Sequence, residues 1–195
     1  MYVYIIGGFL GSGKTTLLMR LASIYSERGI KTALLVNESG EVGVDGATLK
    51  AAGYDAIELP NGCICCSLAG SLQTALRNIK ADINPEIIII EPTGMAFPHR
   101  VKTLVNESMI DPEGVGIIGI ADIQKFDNLI KRREEFFKQQ MAAADFILIN
   151  KSDLATPEKM ASALSWLKEK YPDVPLIPVS VKTGENLDKI YGMMR

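Results

Sequence analysis

A glycine-rich octapeptide near the start of the chain constrains the fold more than any other feature. Residues 8–15 read G-F-L-G-S-G-K-T, which is the complete G-x-x-x-x-G-K-[ST] pattern, and they closely follow the apolar run 2–6. Such a loop needs a strand before it and a helix after it, because backbone amides and the helix N-terminus together surround phosphate oxygens. The pattern therefore predicts a P-loop nucleotide-binding domain.

The residues of this loop have distinct expected roles. Lys14 is expected to neutralise the β- and γ-phosphates, and Thr15 to offer its hydroxyl to Mg²⁺, a hard cation that prefers oxygen ligands. A simple turn between strand and helix would explain the glycines but not Lys14 followed by Thr15. The predicted nucleotide-binding residues of the loop are Gly11, Ser12, Gly13, Lys14, Thr15 and Thr16.

Short apolar runs alternate with helical patterns along the whole chain. The predicted strands are residues 2–6, 32–36, 56–59, 87–90, 116–121, 146–149 and 176–179. The predicted helices are residues 14–28, 68–79, 100–107, 126–143, 157–170 and 186–193. This alternation predicts an α/β fold with a doubly wound, mostly parallel sheet and helices on both faces. Since no repeat or linker divides the chain, residues 1–195 are expected to form a single domain.

Composition excludes several classes of partner. The net charge is −2 and no basic run is dense enough to bind a phosphate backbone, so nucleic acid is not an expected partner. The apolar runs 87–90 and 146–149 are far shorter than the ~20 residues of a membrane helix. Met1 leads directly into an apolar strand without the basic region of an export signal. The three cysteines lie within four positions, unlike a disulfide framework, and the expected location is the cytoplasm.

A second motif predicts that the base is guanine. Residues 150–153 read N-K-S-D directly after a predicted strand. Asp153 would accept hydrogen bonds from the two donor groups of guanine that adenine lacks, Lys151 would lie over the base, and Asn150 would brace the loop. The tetrapeptide alone could be an ordinary strand-to-helix cap, but its place after a P-loop favours guanine. A second base-contacting loop is predicted at Ser180, Val181 and Lys182.

The metal and water side of the phosphate site is predicted at residues 91–94, which read E-P-T-G after the strand 87–90. Glu91 would hold Mg²⁺, directly or through a water, and the Gly94 amide would meet the γ-phosphate. The alternative is that Glu91 is a strand-end charge facing solvent. Together with Lys14 and Thr15, these are the predicted catalytic residues.

Three close cysteines indicate a second, softer metal site. Cys63, Cys65 and Cys66 could hold Zn²⁺, Co²⁺ or another thiophilic ion, with Glu41 completing the site. The alternatives are buried small side chains or a redox pair. His99, the one histidine of the chain, is a further candidate ligand.

Glu41 belongs to an acidic, glycine-rich segment at residues 37–46, N-E-S-G-E-V-G-V-D-G. A loop of this composition is suited to becoming ordered with nucleotide, as a first switch region does. The alternative is an ordinary surface loop.

Together these motifs resemble the CobW-like GTPases, which are related to the nickel-insertion GTPases of hydrogenase and urease maturation. The resemblance rests on G-F-L-G-S-G-K-T-T at residues 8–16, N-E-x-G-E-V at 37–42, N-G-C-I-C-C at 61–66, E-x-T-G at 91–94 and N-K-S-D at 150–153. It implies a metallochaperone or metal-allocation factor, in which nucleotide controls the transfer of zinc, cobalt or a similar ion to a client metalloenzyme or cofactor-maturation protein.

The resemblance also implies that the C-x-C-C segment binds metal, with Glu41 and Cys65 the first expected pair and Glu38 a further candidate ligand. Two departures limit what it implies. Val36 stands where some relatives have an acid. Typical CobW-like proteins continue into a C-terminal domain, so the manner of client recognition is not carried over.

Other functions remain open from the residues alone. One is a GTP-dependent activator in corrinoid, cobalamin or methyltransferase maturation, with structural cysteines. Another is a P-loop kinase, against which Asp153 argues. GTP hydrolysis is expected to be slow, because no arginine or glutamine is identifiable as a positioned catalytic partner. A nucleotide- or metal-dependent homodimer, or a client, could complete the site.

Overall fold

The structure is a computed structural model that describes residues 1–37, 55–59, 68–92 and 95–194. Its strands are β1 (Tyr2–Gly8), β2 (Thr32–Asn37), β3 (Asp55–Leu59), β4 (Ile87–Glu91), β5 (Gly114–Asp122), β6 (Phe146–Asn150) and β7 (Leu176–Val179). Its α-helices are α1 (Lys14–Glu27), α2 (Leu68–Asn78), α3 (Pro98–Asn106), α4 (Phe126–Met141), α5 (Pro157–Lys170) and α6 (Leu187–Met193). A π-helical turn, Ile79–Ile83, extends α2, and a 3₁₀ turn, Ser152–Leu154, follows β6.

The strands form one parallel sheet in the order β3-β2-β4-β1-β5-β6-β7. This arrangement confirms the predicted doubly wound α/β fold. The chain leaves the central strand β1 towards one edge of the sheet and later returns past it to build the other edge. Ligands of such sheets bind at the carboxyl ends of the strands beside this switch point.

The core lies on both faces of the sheet because successive side chains of a strand point to opposite sides. On β1, Val3 and Ile5 pack in a cluster with residues of α2, α3, α4 and α5. Tyr4 and Ile6 pack on the other face, against α1 and α6. The continuous apolar runs of the sequence therefore reflect strands that are buried twice.

Helix ends differ from the predicted bounds for local reasons. Helix α3 begins at Pro98, two residues before the predicted start, because proline fits the first turn of a helix, where no amide donor is needed. Helix α4 ends at Met141 instead of residue 143, since Ala142 is extended and Ala143 has a positive φ of 59°. Helix α5 spans the predicted residues.

Several predicted features lie outside the described residues. They include the acidic loop from residue 38 onward, the cysteine segment at 61–66, and positions 93 and 94. Within the described ranges, no helix is both long and apolar enough to cross a membrane.

The close contact at Gly7 leads to a test of the fold. A Cβ at Gly7 would lie 2.2 Å from Pro98 Cγ, so Gly7→Ala should overpack the junction and lower the free energy of unfolding by about 1–3 kcal/mol. The control is Gly70→Ala in α2, where nothing lies within 4 Å, and alanine should stabilise the helix by about 0.5–1 kcal/mol. Urea unfolding measures both, and equal signs for the two variants would contradict the described packing.

Candidate functional site

The P-loop connects the end of β1 to the first turn of α1. Gly13 occupies the N-cap of α1 with a φ of 103°, and a Cβ there would lie 2.3 Å from Asn150 Nδ2. Glycine is therefore required both for its backbone conformation and for space. Within the loop, Ser12 N donates to the carbonyl oxygen of Phe9 at 3.1 Å, which closes a tight turn.

Lys14 is a buried cation beside this turn. Its side chain is only 6% exposed, and Nζ donates to the carbonyl oxygen of Phe9 at 3.2 Å. Burial lowers the pKa of Lys14, and the nearby charge of Glu91 partly opposes this shift. Because a buried ammonium group is stabilised by an anion, the position suits a bound phosphate.

Glu91 closes β4 on the other side of the P-loop. It is 8% exposed, so the alternative of a solvent-facing charge is wrong. Thr15 Oγ1 donates to Glu91 Oε1 at 2.9 Å, and Oε2 is buried without a hydrogen-bond partner among the described residues. Burial raises the pKa of Glu91, an effect that the Thr15 hydrogen bond and then Lys14 oppose.

These oxygen groups fit Mg²⁺ at this position. A hydroxyl and a carboxylate oxygen are ligands that hard cations prefer, and the unpartnered Glu91 oxygen is available. Thr16, the last predicted residue of the P-loop, is exposed on the first turn of α1. Gly94 was predicted to complete the phosphate side and lies outside the described residues.

Asn150 connects the predicted guanine motif to the P-loop. Its buried side chain donates from Nδ2 to the carbonyl oxygen of Ser12 at 2.7 Å and accepts at Oδ1 from Val181 N at 3.1 Å. The side-chain amide of Asn150 thus connects the loop after β6 to the P-loop and to the loop after β7. Its position follows from register, since Asn150 lies opposite Asp122 of β5 and Val179 of β7 at the carboxyl edge of the sheet.

The side chain of Lys151 also contacts the P-loop. Its Nζ donates to the carbonyl oxygen of Gly11 at 3.1 Å and forms an ion pair with Asp122 Oδ2 at 2.7 Å. Asp122 is 1% exposed, and its Oδ1 also accepts from Gln124 N at 2.8 Å. Asp122 was missed in the sequence, although an acid at the carboxyl end of a predicted parallel strand is a usable signal.

The remaining base-side residues lie around these anchors. Asp153 is exposed in the 3₁₀ turn after Lys151, and Ser152 Oγ donates to Glu185 Oε2 at 2.5 Å. The buried Ser180 accepts at Oγ from Thr183 N at 3.2 Å, which shapes the second predicted loop.

Arg20 of α1 holds this second loop at its other end. It donates to the carbonyl oxygens of Val181, at 3.3 Å, and Lys182, at 3.0 Å. Nothing in the local sequence indicates this role, because the partners are more than 160 residues away.

The predicted soft-metal ligands are not part of this geometry. Glu38, Glu41, Cys63, Cys65 and Cys66 lie outside the described residues. His99 is half-buried at the start of α3, where its ring stacks on Phe97 with 5.8 Å between centroids. Within the described part of the chain, no group of three or more His, Cys, Asp or Glu side chains could hold a metal ion.

Comparison with protein-family models shows which family the chain belongs to. The model of the CobW/HypB/UreG nucleotide-binding domain matches residues 2–178. The chain belongs to the CobW/HypB/UreG family. The zinc chaperone YeiR of Escherichia coli (strain K12) is 37% identical over 175 residues, which cover 89% of this chain and 53% of YeiR. The chain thus spans about half the length of this relative.

Solved structures of the CobW/HypB/UreG family share the fold. A zinc-bound triple mutant of the YjiA GTPase superposes with a TM-score of 0.66 at 28% identity, covering 92% of this chain and 57% of that one. The hydrogenase maturation factor HypB from Archaeoglobus fulgidus superposes with a TM-score of 0.70 at 20% identity, covering 100% and 91%. The second comparison supports the fold alone.

The ion pair at the guanine motif yields one prediction. Asp122→Asn removes the charge that holds Lys151, and hydrogen bonds to charged groups contribute about 1.5–3 kcal/mol, so GDP affinity should fall about 10-fold or more. The control is Asp145→Asn, at a residue that directly precedes β6, away from the carboxyl edge of the sheet, and whose carboxylate accepts from Ile117 N. Calorimetric titration with GDP measures both, and unchanged affinity in Asp122→Asn would contradict the role of Asp122.

The buried carboxylate of Glu91, at the end of β4, yields a second prediction. Glu91→Gln keeps the shape of a carboxyl group whose pKa is raised by burial, and it also removes the negative charge near Lys14. Because these two effects oppose each other, without ligand the variant should unfold within about 2–4 °C of the wild type. Nucleotide affinity should no longer respond to Mg²⁺. Glu86→Gln, at the exposed start of β4, is the matched control. A midpoint several degrees lower, or an intact Mg²⁺ response, would count against this account.

Proposed function

We propose that the chain binds guanine nucleotide with Mg²⁺, hydrolyses GTP slowly, and uses the nucleotide state to control the transfer of zinc or a similar metal ion. The observation that carries the nucleotide part is the attachment of the guanine motif to the P-loop. Asn150 donates to Ser12 and Lys151 donates to Gly11, so base and phosphate subsites are held at a defined separation.

On the phosphate side, each residue has a distinct task. The backbone amides of Gly11 and Gly13 would bind phosphate oxygens, the Ser12 amide would exchange its hydrogen bond to Phe9 for one to the phosphate, and Lys14 would neutralise the phosphate charge. Thr15 and Glu91 would hold Mg²⁺, which when bound supplies further positive charge to the phosphates. The Gly94 amide would contact the γ-phosphate. The burial of Lys14 supports this proposal, because a buried cation favours an anionic ligand.

On the base side, the exposed carboxylate of Asp153 would accept from both guanine donors, and Lys151 would cover the base and ribose. Ser180, Val181 and Lys182 would close the pocket from the adjacent loop. The hydrogen bond from Val181 N to Asn150 supports this, because it fixes the second loop next to the first.

The metal part of the proposal rests on the relatives. YeiR is named a zinc chaperone and the YjiA structure is zinc-bound, which favours metal transfer over activation of a corrinoid or methyltransferase enzyme. The proposed ligands are Glu41, Cys63, Cys65 and Cys66, with Glu38 an alternative. Zinc is the proposed ion and cobalt the alternative.

Residues 1–195 would act as one domain in the cytoplasm and deliver metal to a client metalloenzyme or maturation protein. A homodimer formed with nucleotide or metal could complete the catalytic site.

The direct test is GTP turnover with and without Zn²⁺ and Co²⁺, with bound metal counted in parallel. GTPases without an added catalytic arginine turn over at roughly 10⁻⁴ to 10⁻² per second, and we expect this range for the isolated protein. Hydrolysis of ATP at a comparable rate, or no stoichiometric metal, would overturn the corresponding part of the proposal.

Guanine selection is tested at Asp153. Two hydrogen bonds to a charged acceptor contribute about 1.5–3 kcal/mol each, so Asp153→Asn should weaken GDP binding by about 3 kcal/mol or more, roughly 150-fold. Xanthosine diphosphate should still bind, because the new amide can donate to the xanthine carbonyl. Asp173→Asn, in an exposed loop away from the site, should change neither affinity. Equal loss for both nucleotides in Asp153→Asn would exclude the assigned pocket.

Coupling of metal to nucleotide is tested by titrating Zn²⁺ into protein saturated with GDP or with a non-hydrolysable GTP analogue. If Glu41 moves with the switch, zinc affinity should differ between the two states by about 5- to 150-fold, and zinc should shift nucleotide affinity by the same factor. Cys65→Ser and Glu41→Ala should reduce both zinc affinity and coupling, whereas Glu107→Ala should reduce neither. Identical zinc affinities in the two states would leave the cysteines as a static site.

A further inference from the structure

A buried glutamine on α4 connects two parts of the phosphate site that are distant in sequence. Gln140 is 1% exposed, and its side chain uses both ends of the amide. Oε1 accepts from Gly8 N at 3.0 Å, and Nε2 donates to the carbonyl oxygen of Ala96 at 3.0 Å. No motif of the sequence includes this residue.

The two partners belong to different functional segments. Gly8 ends β1 and is the first residue of the P-loop. Ala96 lies two residues beyond Gly94, the proposed contact to the γ-phosphate, and two residues before α3 begins. One side chain therefore spans from the start of the phosphate loop to the exit of the γ-phosphate segment.

Packing around Gln140 joins the same two segments a second time. Phe136, one turn earlier on α4, contacts Phe9 of the P-loop at 5.0 Å between ring centroids and Phe97 at 5.4 Å. The position of a Cβ on Gly7 would lie 3.0 Å from the Gln140 carbonyl oxygen. The second half of α4 is thus in close contact with both segments, and rearrangement of one must be accommodated by the other.

These two hydrogen bonds make one relative position of the two segments more stable than any other. If residues 95–97 shifted relative to the P-loop, Gln140 could not keep both of these hydrogen bonds, and one of them would be lost inside the protein. Such a loss is unfavourable because water cannot replace the bond in the interior. Gln140 therefore favours one relative placement of the two segments.

We propose that Gln140 is a positioning residue that couples residues 95–97 to the P-loop and thereby increases the preference of the site for GTP over GDP. This inference rests on the proposed function, in which Gly94 contacts the γ-phosphate. GTP uses both segments at once, whereas GDP uses the P-loop without that contact. A side chain that fixes their relative position contributes more to GTP binding than to GDP binding.

The test compares Gln140→Met with Gln139→Met. Methionine has a similar length and no amide, and Gln139 is exposed on the neighbouring position of the same helix. We expect the affinity for a non-hydrolysable GTP analogue, relative to that for GDP, to fall at least fivefold in Gln140→Met, at the lower end of ordinary couplings of roughly 5- to 150-fold. The ratio should stay within about twofold of the wild type in Gln139→Met. A ratio unchanged in Gln140→Met, including equal losses for both nucleotides, would overturn the proposal, because a purely structural role would affect both alike.

Hydrogen exchange of the wild-type protein provides a measurement that does not depend on the variant folding. Peptides covering residues 95–98 and 134–141 should exchange at different rates with GDP and with the GTP analogue. If each peptide exchanged at the same rate with GDP as with the GTP analogue, the role of Gln140 would also be overturned. A wild-type protein that binds neither nucleotide would overturn the proposed function itself, whereas normal binding with an unchanged ratio in Gln140→Met would overturn only this inference.

Discussion

The side-chain amide of Asn150 holds three loops of the site in one arrangement. It donates to the P-loop at Ser12 and accepts from the following loop at Val181, while its own backbone closes β6. Because the group is buried, leaving either partner unpaired would cost about 1–3 kcal/mol. The proposed base side thus depends on the register that brings β5, β6 and β7 to a common edge.

The proposed phosphate side differs from the proposed base side because its key side chains are buried charged groups. Lys14 and Glu91 are charged groups removed from water, and burial disfavours the charged form of each. A protein selected only for stability would have little reason to keep both. The presence of both next to a turn of glycines fits a ligand that supplies phosphate charge and a divalent cation.

Much of the fold could be predicted because its signals are local. A few consecutive residues are enough to predict β4, from its run of four isoleucines, and the P-loop that follows β1. Asp122 was missed although a local signal existed, whereas two other missed residues act through partners far along the chain. Gln140 bonds to Gly8 across 132 positions and Arg20 bonds to Val181 across 161, so neither belongs to a local pattern. Their roles depend on the tertiary arrangement, which periodicity does not reveal.

The distance along the chain between Ser12 and Asn150 has a consequence for biosynthesis. The two residues are 138 positions apart, so at about 5–20 residues per second the P-loop leaves the ribosome roughly 7–28 s before its brace does. Early in that interval β1 also lacks β4 and β5, its neighbours on both sides, which emerge in that order. A nascent chain displays the phosphate motif early but gains its complete proposed base side only once β7 and the loop that contains Val181 have emerged.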